Sequence, residues 1–185
     1  MRAIGIIEEN NKVYNIFKAV PEECGIRDYA LFSGEFSLGG SALQALSGDI
    51  LTVRAAPSLS AVFSAGYVDI LIIGKVTQQQ NFEGFPSPKA IIITLDDIPK
   101  LINIPAGIQI ISCGLKEKDS VTITSMNNAC PLLSLQREIM DIKGNVIAAN
   151  EFKLRFKETG DSDAQYGLMA AYTSLLLSGF LIGKD

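Results

Sequence analysis

The chain contains no histidine and no tryptophan. Without histidine it lacks the commonest general base and metal ligand, which excludes a Ser-His-Asp or Cys-His triad and any His-liganded zinc. Catalysis would have to rest on carboxylate, lysine, tyrosine or backbone groups. Cysteine is scarce. Cys24, Cys113 and Cys130 are scattered, odd in number, and show neither CxxC spacing nor a disulfide framework. Each is expected to be a small buried hydrophobe. Basic residues are in the minority, 16 Lys and Arg against 20 Asp and Glu, with no dense basic cluster, so no nucleic-acid partner is expected. No apolar run has the length of a membrane span. The longest, 168–182, is broken by Tyr172, Thr173, Ser174 and Ser178, so no membrane partner is expected. Residues 1–19 read as a strand and a polar turn, not as a secretory signal, which makes the cytoplasm the expected location.

What is present fits one globular domain over residues 1–185: 48% apolar and 19% charged residues, enough chain for a sizeable core. The first half alternates short β-rich apolar runs with helix-like segments. Strands are expected at 3–7, 28–32, 49–55, 68–76, 89–97 and 107–115. The runs "VDILIIGKV" and "KAIIITLDD" are continuous, as in strands covered on both faces. A helix is expected over 12–20, ended by Pro21, another from an N-cap at Ser41, and a short one over 57–65. This interleaving predicts an α/β layer with a mostly parallel sheet flanked by helices. After Leu115 the pattern changes. "DSVTITSM", "LLSLQREIMDI" and "NVIAANEFKLRF" predict an antiparallel β-ribbon, with "KGN" as a turn, and Arg137 and Glu138 on opposite faces of a strand. A C-terminal helix, "AQYGLMAAYTSLLLSGFLIG", closes the domain and ends near Gly179 or Gly183.

The stretch "RAIGIIEENNKVYNIF" has the outline of a phosphate-binding loop: an apolar strand, a polar turn, a lysine and then a helix. The turn has no glycine and carries two glutamates. Glycines serve such loops because they accept φ > 0 and let bare backbone N–H groups converge on phosphate. Asn11 tolerates a left-handed conformation, so that loss is survivable. Glu8 is worse. A carboxylate about 5 Å from a phosphate charge, at an effective dielectric of about 20, costs roughly 3 kcal/mol, or about two decades of affinity. Lys12 can meet an anion at the helix start or lie solvated at the surface. Asp96 and Asp97 can accept hydroxyls from a ligand or cap the turn "DIPKLI". Gly39, Gly40 and Ser41 form a second possible anion loop, or an ordinary Gly-Gly turn. Phe82 and Phe85 mark a contact surface, or tuck beneath the sheet.

In order along the chain these features resemble the central ATPase domain of the Mur ligases, the ATP-dependent amino-acid ligases of peptidoglycan synthesis, and their folylpolyglutamate synthetase relatives. Ile4-Gly5-Ile6 matches the family's first strand. Asn10 and Lys12 match the Asn and Lys of its loop I-G-I-T-G-T-N-G-K-T-T, while Glu8 and Asn11 replace its two glycines. "IIITLDDIPKL" is similar to the strand ending in N-A-D-D-P, with Thr94 for the Asn and Asp96 and Asp97 kept. Gly114 falls on the glycine of T-F-G. "DAQYGLMAAYTSLLLSGF" overlays the closing helix, with Ala170, Ala171 and Gly179 kept, and Ala164 and Gly167 in place of two asparagines. The resemblance implies a P-loop/Rossmann-like three-layer fold, with Asn10, Lys12, Asp96 and Asp97 as a vestigial nucleotide site.

The departures remove the family's chemistry. Val13 replaces the metal-binding hydroxyl residue and cannot ligate magnesium. Arg54 stands near the position of a magnesium-holding glutamate. The strand end that carries a metal-binding histidine has become "IIGKVTQQQNF", and the helix with the carbamylated lysine is replaced by the loop before Lys89. Phosphoryl transfer depends on positioning and metal electrostatics. The expectation is therefore a pseudoenzyme with no catalytic residues, no metal and no cofactor, ATP and Mg²⁺ binding having been lost. It would act by binding a protein partner or by self-association. The alternatives are a small-molecule or nucleotide-binding module built on the Lys12 loop and, third, an enzyme of another α/β class.

Overall fold

A computed structural model describes residues 2–33, 51–64, 66–124, 131–154, 161–180 and 182. Gly39, Gly40 and Ser41, with the helix expected from Ser41, lie outside the described residues. In chain order the elements are β1 (Arg2–Ile7), α1 (Lys12–Phe17), α2 (Val20–Glu23), β2 (Tyr29–Ser33), β3 (Leu51–Ala56), α3 (Leu59–Ser64), β4 (Ile70–Ile73), β5 (Gln80–Asn81) and β6 (Ala90–Ile93). A 3-10 turn (Leu95–Lys100) follows, then β7 (Leu101–Ile102), β8 (Gln109–Ser112), β9 (Val121–Thr124), β10 (Leu132–Leu135), β11 (Ile139–Met140), β12 (Val146–Ile147), β13 (Glu151–Lys153) and α4 (Ser162–Leu177).

The expected α/β layer is present. Six strands form a wholly parallel sheet in the order β2-β3-β1-β4-β6-β8. Every residue of β4 and β6 is buried, which is why these segments read as unbroken apolar runs. The two faces hold separate cores. Ile4, Ile6, Ile70, Ile72 and Ile92 point to the side of α1 and α4. Ile7, Leu71, Ile73, Ile91 and Ile93 pack against Leu59, Val62 and Phe63 of α3. Alternation along each strand puts successive residues into opposite layers. Gly5 lets α3 approach closely, since a Cβ there would stand 2.6 Å from Val62 Cγ1. Phe82 is buried in this second core, and Phe85 stacks on Phe63 at 5.6 Å between centroids, so the two rings tuck inward.

The last third is antiparallel. β13-β10-β9 form a three-stranded sheet and β11-β12 a hairpin. Two local expectations are corrected. Pro21 does not end a helix over 12–20. The first helix stops at Phe17, and Pro21 opens the short α2, where its fixed φ and missing N–H suit the first turn. "LLSLQREIMDI" is also not one strand. β10 ends at Leu135, and Arg137 and Glu138 sit in the bend before β11, where Arg137 Nη2 donates to the Lys118 carbonyl.

Helix α4 is buried along its whole length from Tyr166 to Leu177. A helix apolar on every side belongs in an interior. It lies on α1, the ends of β4 and β6, and β9. Gly167 permits the contact with α1, because a Cβ there would stand 2.5 Å from Ile16 Cδ1 and 3.4 Å from the Val13 Cα. Among the described residues no helix is long and apolar enough to cross a membrane.

Candidate functional site: a cleft at the strand C-termini

In a parallel sheet the side chains that meet ligands gather beyond the carboxyl ends of the strands, where neighbouring connections leave in opposite directions. Here β1 leads away to β2 on one side and β4 leads to β6 on the other, so that point lies beyond β1 and β4. A cleft of about 610 Å³ opens there. Asn10, Lys12 and Val13 line it after β1, and Lys75, Val76 and Thr77 after β4. Thr94–Asp97 and Lys100 follow β6, Cys113–Lys116 and Asp119 follow β8, and the first turns of α4 close the side.

The loop after β1 is held by its own glutamate. The Glu8 carboxylate is 4% exposed and accepts the backbone N–H groups of Val13 at 2.9 Å (Oε2) and Tyr14 at 2.8 Å (Oε1). These are orphan donors at the start of α1, the groups that a phosphate loop would offer to its ligand. Asn11 takes the left-handed conformation (φ 54°) that turns the chain into the helix, in place of the glycine of a working loop. Asn10 stabilises the same turn, its Oδ1 accepting the Lys12 amide at 3.2 Å. Gly74 clears the space, because a Cβ there would stand 2.9 Å from the Glu8 Cβ. Burial raises the Glu8 pKa, and the amide hydrogen bonds oppose it without cancelling it. The adjacent Glu9, in the bend after β1, turns the other way. Its Oε1 accepts the Thr77 amide at 2.9 Å and hydroxyl at 2.7 Å, which ties the β1 and β4 loops together and lowers its pKa.

The four vestigial-site residues named from sequence all line this cleft, but each has another occupation. Lys12 Nζ pairs with Asp161 Oδ2 at 2.7 Å and Asp163 Oδ2 at 3.1 Å, and these bonds raise its pKa. Asp161 is the N-cap of α4, its other oxygen accepting the Ala164 amide at 3.0 Å. Lys12 is thus neither solvated alone nor facing the cleft as a free cation. Asp97 accepts the Thr94 hydroxyl at 2.8 Å and pairs with Lys100 at 2.6 Å. Asp96 pairs at the surface with Lys116. Neither aspartate caps the turn "DIPKLI": Thr94 stands at its N-cap with no side-chain cap hydrogen bond, Asp97 sits inside the turn, and Asp96 is exposed. Arg54 is not at the cleft. It is buried in β3, where Nη2 donates to the Tyr67 carbonyl.

Several groups were not legible from sequence. Tyr166 is buried and its hydroxyl donates to the Ile73 carbonyl at 2.5 Å, with the Ile92 carbonyl at 3.2 Å, pinning α4 to the ends of β4 and β6. Burial drives its pKa well up. Asp119 is 1% exposed. Its Oδ2 accepts the Lys116 amide at 2.9 Å, and its Oδ1 has no partner among the described residues. The string "KEKDS" reads as a charged turn, and nothing local marks one of its members as buried. The "D-S-D" ahead of α4 does carry a readable N-cap signal. Among the described residues no group of three or more Cys, Asp or Glu is placed to hold a metal. The sequence matches no protein-family model and no curated protein.

The Glu8 contacts give a pH signature. A carboxylate whose folded pKa is raised contributes most stability below its unfolded value of about 4.5 and loses that contribution as pH rises through the folded pKa. The unfolding free energy of the wild type, minus that of Glu8→Gln, should decline as pH rises from 4.5 through that window. Urea unfolding at half-unit pH steps checks this. A difference that is flat, or that grows, would mean the carboxylate is not desolvated.

Proposed function

We propose that this chain is a non-catalytic binding domain on a Mur-ligase-like, P-loop/Rossmann-like three-layer frame, with its ligand in the cleft beyond β1 and β4 and no use for nucleotide. The observation that carries the reading is the Glu8 carboxylate on the Val13 and Tyr14 amides. An internal anion already fills the donors that a phosphate would need, and a second anion there would meet it at short range. ATP and Mg²⁺, the pair implied by the resemblance, do not fit the residues present. Lys12 is neutralised by two aspartates, and the hydroxyl position is Val13, which has no oxygen for a metal. Phosphoryl transfer in the family implied by the resemblance relies on those groups for its electrostatics, which argues against that chemistry here.

The cleft itself favours a small ligand. Its size falls within the usual range for small-molecule pockets, and its walls mix Val13, Val76, Leu95, Leu115 and Met169 with four lysines and four aspartates. A module that grips phosphate with Lys12 has less support, since that ammonium is already paired. The form of the reading that uses a protein surface has one observation in its favour: Met140 and Val146 are cross-strand partners in the β11-β12 hairpin, and are 52% and 63% exposed. A sedimentation mass that stays monomeric at every concentration would count against self-association through them.

Calorimetric titration of ATP and ADP, with and without Mg²⁺, tests the central point. No heat of binding is expected at millimolar nucleotide. Binding near about 10 μM that strengthens with Mg²⁺ would sink the proposal, because the loop would then be a working phosphate site.

A further inference from the structure

We infer that the ligand of the cleft carries a protonated amine, received by Asp119, on an apolar body. This rests on the cleft-binding reading above and adds the chemical class of what is bound. The starting observation is charge pairing. Of the carboxylates that line the cleft, Asp96 has Lys116, Asp97 has Lys100 and Asp163 has Lys12. Among the described residues, Asp119 has no ammonium partner. It is also the most deeply buried of the four, at 1% exposure.

Half of its carboxylate is satisfied and half is not. Oδ2 accepts the Lys116 amide at 2.9 Å, while Oδ1 has no partner among the described residues. Gly114 leaves room for the group, since any Cβ there would collide with Oδ2. A buried carboxylate oxygen without a donor is unfavourable, and a donor that brings positive charge compensates it best. Lys116 cannot be that donor as placed, because its ammonium is at the surface on Asp96. Oδ1 is buried as placed, so a ligand reaches it only if the turn from Gly114 to Asp119 shifts.

The remaining surface selects the body of the ligand. Val76, Leu95, Leu115 and Met169 offer apolar contact. A carboxylate ligand would meet the Asp119 side chain in the same cleft, and only the exposed Lys75 at its edge would favour it. A neutral alcohol could donate to it but would leave the charge uncompensated. A compact primary amine on a saturated ring or chain matches both features.

The absence of tryptophan provides a clean reporter. Leu115 lines the cleft and is 60% exposed, so Leu115→Trp places a single indole at its rim. Three probes of one shape would be titrated against its fluorescence: cyclohexylmethylamine, cyclohexylmethanol and cyclohexanecarboxylate. The amine is expected to bind at least about tenfold tighter than either of the others, and Asp119→Asn in the same background should erase that preference. An amine no tighter than the alcohol, or a preference that survives Asp119→Asn, overturns the inference. If Asp119→Asn does not fold, the ranking of the three probes on the unaltered Asp119 decides alone. The two readings fail in different ways. Binding of the alcohol or the acid without preference for the amine removes the role of Asp119 and keeps the cleft. No response to any of the three removes both.

Discussion

The pairing of Glu8 with the Val13 and Tyr14 amides sets the local architecture at the centre of this fold. The first strand of a parallel sheet delivers the chain to a helix, and the first N–H groups of that helix need acceptors. Phosphate loops leave them for a ligand. Here the side chain at the end of the strand turns back and fills them, at 2.9 and 2.8 Å. Other local features fit around that choice. Asn11 adopts the left-handed turn, Gly74 makes room for the glutamate, and the Glu9–Thr77 bonds tie the neighbouring loop in place. Burying a carboxylate is unfavourable, and its raised pKa records that. Two amide donors make it tolerable.

The same logic of internal pairing extends across the cleft. Three of the four lysines that line it are matched to aspartates, and the exposed Lys75 has no ion pair among the described residues. Lys12 goes to the N-cap region of α4, Lys100 to Asp97 and Lys116 to Asp96. At the surface such pairs add little stability. In the proposed reading they reduce the attraction of the cleft for a polyphosphate, with Lys75 left as its unmatched lysine. The α4 helix matters for the same reason. It is held to the sheet by the Tyr166 hydroxyl and to α1 through Gly167, and so brings Asp161 and Asp163 within reach of Lys12, about 150 residues earlier in the chain.

The parts of the fold with a strong local signature were legible in the sequence. Continuous apolar runs marked β4 and β6 because both faces of the sheet are covered, and the change of pattern after Leu115 marked the antiparallel third. The left-handed tolerance of Asn11 was readable from residue type alone. Long-range pairing was not. Glu8 reads as an obstacle to a ligand at that position, and only the folded loop shows it to be a structural acceptor. Lys12 reads as a lysine that meets an anion or lies solvated at the surface, because its two aspartates arrive from the far end of the chain. Asp119 lies in a charged string and gives no sign of its burial. Pro21 and the bend at Arg137 were misread for a simpler reason: Pro permits a new helix as readily as it stops an old one, and periodicity alone does not show where a long β-like run breaks.

The most direct test of the Glu8 contact is to follow the amide resonances of Val13 and Tyr14 by NMR, first through an acid titration and then with inorganic phosphate added at neutral pH. If Glu8 holds both amides, the two resonances shift together with one midpoint above 4.5, and neither moves when phosphate reaches millimolar concentration. Resonances that ignore the acid titration, or that move on adding phosphate, would show that these amides remain open to a ligand.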